Sequence, residues 1–214
     1  MINIQLPTPS PNYVADVKKP GEAFLRRTPN PTQDDWRRNN YWRKIHDYLY
    51  GAHNGICLYC ASWTPRNQQE GHFERTTIDH YIPKSIDKTK AYEWDNFRLC
   101  RSRLNNRKEN FTDILDPCSI LNEWFILEFT TFLIKPSVGL EEPIKIRVKQ
   151  TIERLELNDD TDYVNERIAI IGDYSIGKAS FGFVRQRYPF IAYQMEAQNF
   201  DKQFKDKIAS HFQG

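Results

Sequence analysis

The chain has 214 residues, enough to bury a sizeable core in one domain or in one domain with a small companion. Aromatic residues make up 14% of it, which excludes disorder as its general state. A net charge of +2 excludes a strongly basic surface overall, so any nucleic-acid contact must come from local clustering. No apolar run approaches a membrane span and Met1 to Gln5 carry no signal-peptide pattern, so the expectation is a cytoplasmic protein that makes no membrane contact.

Residues 1–31 are proline-rich, with Pro7, Pro9, Pro11, Pro20, Pro29 and Pro31. Prolines at this density argue against a regular helix or central strand, so the segment reads as an arm on the body of the protein or on a partner, or as a partly disordered terminus. Thr32 followed by Asp35 resembles a capping box. Trp36, Tyr41, Trp42, Ile45, Tyr48 and Leu49 then recur at near-helical spacing and predict a helix over 33–52. Its aromatic face suits the core; Arg37, Arg38, Arg43 and Lys44 form a solvated face, with DNA-backbone contact as the lesser reading.

After the break at Gly51 to Gly55 comes a Cys-x-x-Cys knuckle, Cys57 and Cys60. In a cytoplasmic chain, cysteines are thiols or metal ligands before they are disulfides. Cys100 is a natural third ligand for a structural Zn²⁺, but Arg103 stands where a second knuckle needs its cysteine. Cys118, His53 and His72 lack convincing spacing, and a pair of buried thiols in a tight turn is the preferred reading over zinc.

Residues 73–83 alternate as a strand, with Thr76, Ile78 and His80 on one face and Thr77 and Asp79 on the other, and Pro83 ends the pairing. A polar loop over 86–92, a strand over 94–99 and a polar helix over 101–110 follow. Residues 124–134 read as one or two strands and 144–148 as a strand leading into a helix near 151–157. A helix over 160–173 would use Tyr163, Val164, Ile168 and Ile171 as its core face, and 181–212 reads as largely helical. The division expected is 1–31 as arm, 32–118 as core and 119–214 as an α+β, mainly helical extension.

Asp79, His80, Asn96 and Asn105 place one acid, one imidazole and two amides within thirty residues, a set able to hold a hard divalent cation beside an activated water. Asp79 and Asn105 supply oxygen ligands for Mg²⁺ or Mn²⁺, and His80, with an ordinary pKa near 6.5, supplies a neutral base at physiological pH. Asn96 reads as the group that holds the loop and orients His80. Lys84, Arg98, Arg101, Arg103 and Arg107 crowd the stretch and suit contact with a phosphate backbone.

From Cys57 to Lys108 the chain resembles the HNH endonucleases of ββα-metal fold. The shared pieces are the Cys-x-x-Cys, Asp79-His80-x-x-Pro83, Asn96, and Asn105-x-x-Lys108; the incomplete second knuckle is the departure. The resemblance implies an α+β nuclease core hydrolysing phosphodiester bonds of DNA, with Lys108 at a phosphate or at the transition state unless it is a solvated helix lysine. The flanks, Ala91 to Leu99 and Asp113 to Pro117, resemble HNH proteins of bacterial anti-phage loci, such as the nuclease subunit of Septu and related retron systems, which works with an ATPase partner. The rival readings are an HNH nuclease for RNA or tRNA, and a catalytically inert zinc-knuckle nucleic-acid-binding module.

Overall fold

A computed structural model describes residues 1–69, 74–200, 205 and 208. The chain is α+β, with two small two-stranded sheets among the helices. It divides into two units, one of 5–58 with 64–112, the other of 1–4 and 59–63 with 113–214.

In the first unit the proline-rich arm is half coiled, against expectation. Between Pro11 and Pro29 the only proline is Pro20. One wide π turn, Val14–Lys18, runs into α1, Lys19–Arg27, whose first turn holds Pro20 where no backbone N–H is needed. The extended part is bonded to the same unit: the Pro7 and Thr8 carbonyls accept from Trp94 Nε1 at 2.8 Å and Tyr48 Oη at 3.0 Å.

The helix expected over 33–52 is three pieces. The Thr32–Asp35 capping box opens α2, Gln33–Arg38, as expected. The side-chain amides of Asn39 and Asn40 then turn back onto the Asp35 and Arg37 carbonyls at 2.8 and 2.7 Å, and the helix stops there. A 3-10 segment, Tyr41–Ile45, and α3, His46–Ala52, follow. The break lets Trp36, Tyr41 and Trp42 surround Tyr92, with ring centroids 5.8 to 6.2 Å away.

The strand expected over 73–83 is β1, Thr76–His80; residue 73 lies outside the described residues. It pairs antiparallel with β2, Phe97–Arg101, in a register that sets Asp79 against Arg98 and His80 against Phe97. Trp94–Asn96 form a 3-10 turn, so β2 starts later than expected. Next comes α4, Ser102–Lys108, packed on the hairpin through buried Leu104 and Lys108.

In the second unit, β3, Phe125–Glu128, and β4, Leu133–Pro136, pair antiparallel, the two-strand form of the reading over 124–134. The strand expected over 144–148 is instead helical, inside α5, Glu142–Arg154. Its five alternating residues sit in a longer pattern, with Val148, Thr151, Ile152 and Leu155 all buried at helical spacing. Asp160 caps α6, Thr161–Ser175, through the Asp162 and Tyr163 backbone N–H groups. The buried face of α6 uses Tyr163, Arg167, Ile170 and Ile171; Val164 and Ile168 are half-buried. Arg167 donates to the Phe132 and Leu157 carbonyls at 2.7 and 2.9 Å, and burial draws its guanidinium down to about 10. The segment from 181 splits into α7, Phe181–Arg187, and α8, Pro189–Ala197; most of the remaining expected helix lies outside the described residues.

Candidate active site

Strand alternation puts Thr77 and Asp79 on one side of β1 and His80 on the other. α4 serves the first side. Asn105 and Lys108, three apart, share one helix face. Asn105 Nδ2 donates to Thr77 Oγ1 at 3.1 Å and the Ile78 carbonyl at 3.4 Å. Both amide hydrogens are directed at the strand, which leaves Oδ1 as the group that can meet a cation. Lys108 Nζ lies 3.3 Å from Asp79 Oδ1 and donates to the His80 carbonyl at 2.9 Å, with no exposed surface. Neither a solvated lysine nor a phosphate contact fits that placement; Lys108 holds Asp79 and the end of β1.

His80 is 6% exposed, its ring edge-on to Trp42 at 4.7 Å and to Phe97 at 5.5 Å. Nε2 is 2.9 Å from the Ala91 carbonyl, which can only accept, so Nε2 carries the proton. The neutral ring therefore keeps its lone pair on Nδ1, and the Lys84 ammonium donates to it at 3.3 Å. Burial, then the Lys84 and Lys108 cations, hold the ring pKa well below its ordinary value, against the opposing pull of the Ala91 carbonyl. Burial also lowers the pKa of Lys84, which lies 4.9 Å over the Trp42 ring.

Asn96 is 2% exposed and works on the loop. Its amide accepts from Ile82 N at 2.6 Å and donates to the Ile82 and Lys90 carbonyls at 3.0 Å each. The Lys90 carbonyl immediately precedes the residue whose carbonyl receives His80 Nε2–H. Asn96 thus orients His80 through the 82–91 loop.

Asp79, His80 and Asn105 line one cavity of about 1500 Å³. Its walls carry Arg43, Arg66, Arg75, Lys84 and Lys88 against Asp79, Asp87 and Glu109, with Trp36 and Trp42 beside them. Lys84, expected to contact a phosphate backbone, is among these walls. Arg98 and Arg101, expected to bind nucleic acid, are each 3% exposed and serve the fold. Arg98 donates to the Asp95 and Phe97 carbonyls. Arg101 donates to Thr64 Oγ1 at 2.8 Å and pairs with Glu74 at 3.8 Å. Arg103 and Arg107 are half-buried and not among the cavity walls. Arg66, Arg75 and the two indoles went unnoticed as site groups in the sequence. Arg66 stands in a segment without periodic pattern, Arg75 at the start of the alternating stretch outside the motif, and the tryptophans read as core.

Asp79 and the Asn105 amide oxygen are hard donors of the kind Mg²⁺ or Mn²⁺ takes, and two protein ligands suffice because such a cation keeps waters and substrate oxygens. Cys57 Sγ accepts from Arg101 N at 3.3 Å and Cys100 Sγ donates to the Arg101 carbonyl at 3.2 Å. Among the described residues no three His, Cys, Asp or Glu side chains group to hold a metal ion; His72 lies outside them.

The chain matches no protein-family model and no curated protein. Among the described residues, no helix is long and apolar enough to cross a membrane.

Proposed function

We propose that the chain is a metal-dependent HNH endonuclease of ββα-metal type that hydrolyses phosphodiester bonds of DNA. The observation that carries this reading is the shared cavity. His80, Asp79 and Asn105 all line one cavity rich in cations, and Nε2 of His80 is fixed by a backbone carbonyl. A setting in anti-phage defence beside an ATPase rests on the sequence resemblance alone.

Lys84 moves from Nδ1 onto an incoming phosphate oxygen, which frees the imidazole lone pair. Nδ1 then takes a proton from a water aimed at phosphorus; the water oxygen bonds to phosphorus and the bond to the 3′ oxygen breaks. Asp79 and Asn105 would hold the divalent cation, which would supply positive charge to the leaving oxygen and the crowded phosphorus. Lys108 keeps Asp79 in place, and Asn96 keeps the Ala91 carbonyl under Nε2.

Two measurements test the reading. Mn²⁺ titrated into the protein should bind at one site, and Asp79→Asn should weaken that binding at least tenfold, in the range seen when a metal site is disturbed. Supercoiled plasmid, in which negative supercoiling opens unpaired stretches, should be nicked with Mg²⁺ and left intact with EDTA. Nicking that persists in EDTA rules out the metal, and cleavage of tRNA with plasmid untouched moves the substrate to RNA.

A further inference from the structure

We infer that this cavity takes an unpaired polynucleotide strand rather than a duplex, an inference that rests on the nuclease reading of the same site. The reacting groups are recessed. His80 and Asp79 are 6% and 4% exposed, so a scissile phosphate must be carried down to them. A stiff duplex holds its phosphates on a convex outer surface, whereas a single strand can bend inward and splay its bases.

The wall chemistry points the same way. Trp36 and Trp42 stand half-buried beside the cavity, with their ring centroids 6.4 Å apart. Lys84 lies within reach of both rings, 6.0 Å from Trp36 and 4.9 Å from Trp42. Arg43, exposed one residue after Trp42, lines the same wall. Once Lys84 leaves the Trp42 ring for a phosphate, that indole can offer one base a stacking surface beside the counter-charge, the pairing on which sequence-tolerant single-strand binding rests. A duplex keeps its bases stacked on each other and has no use for the indoles. Asp87 and Glu109, on the same walls, disfavour phosphate locally.

The test is fluorescence anisotropy of the full chain in EDTA, where no cleavage is expected, with one labelled sequence as single-stranded DNA, as duplex DNA and as single-stranded RNA. Single strands should bind about tenfold tighter than the duplex at equal salt, and Trp36→Leu should weaken single-strand binding about five- to tenfold. Arg43→Ala, on an exposed side chain that folding does not need, should weaken it about threefold and flatten its salt dependence. Tighter RNA than DNA single-strand binding supports the inference and moves the substrate to RNA. Duplex bound as tightly as single strand, or both variants binding like wild type, overturns it. With Mg²⁺ added the two readings separate: a duplex cut while single strands are neither bound nor cut sinks this inference alone. Single strands bound but never cut sink the nuclease reading instead.

Discussion

Asp79 depends on Lys108, and neither side chain has water to fall back on. Removing one partner of a buried ion pair leaves the other uncompensated, so Lys108→Met should lower unfolding stability by roughly 3 kcal/mol, read from urea denaturation. A loss below about 0.5 kcal/mol would mean that the carboxylate is solvated and that Lys108 does not hold it. The other residue-scale consequence concerns pH. Burial pushes His46, which is 3.0 Å from Thr76 Oγ1, down to about 4, and it does the same to His53, whose buried Nε2 has no partner among the described residues. In both cases the neutral form folds and the unfolded chain takes up the proton first. Their contribution is therefore whole above pH 6.5 and is lost as pH falls from there towards 4. Each group should cost roughly 2 kcal/mol between pH 7 and pH 5, and His53→Phe should flatten the pH dependence of the urea midpoint. The motif residues Asp79, His80, Asn96 and Asn105 were legible because they lie close in sequence. The burial of Arg101 and Lys108 was not: such a cation goes inside where another segment brings its partner, and Glu74 and Thr64 supply Arg101 from more than twenty-five residues away.

At the scale of elements, the hairpin and α4 were readable because each carries its own signal: alternation in β1, Pro83 after it, and polar helical spacing after β2. Elements whose shape depends on long-range packing were misread. The aromatic run over 33–52 has helical spacing, yet its rings are needed around Tyr92 and the Asn39–Asn40 pair supplies the break. Five alternating residues, 144–148, suggested a strand until the buried positions beyond them extended the period. Tyr92 also explains Gly21. A Cβ there would stand 2.2 Å from Tyr92 Cγ. Gly21→Ala should therefore cost about 1–3 kcal/mol, and Tyr92→Leu in the same chain should recover part of it. Equal stability of Gly21→Ala and wild type would place α1 differently on the ring. In α6, Arg167→Met removes the donor to two buried carbonyls and should cost about 2–4 kcal/mol, seen as an earlier urea midpoint.

Across the whole molecule, the chain passes from one unit to the other at 4/5, 58/59, 63/64 and 112/113. The last of these lies near the boundary expected at 118, where a motif-bearing stretch gives way to apolar strands. The first three leave no mark in composition, because short segments joining a distant unit carry no pattern of their own. The arm, expected to lie on the body of the protein or on a partner or to be partly disordered, clusters from residue 5 with the unit that holds the cavity. The proposed chemistry thus needs only side chains of one unit, with base and metal-holding oxygens on a single hairpin–helix frame. The most direct measurement is single-turnover cleavage by His80→Ala beside wild type, at saturating protein and with Mg²⁺ present. The account predicts that the rate falls by at least a hundredfold, the usual scale for losing a proton acceptor, while the strand is still bound with similar affinity. A variant that cuts within a few-fold of wild type would contradict it.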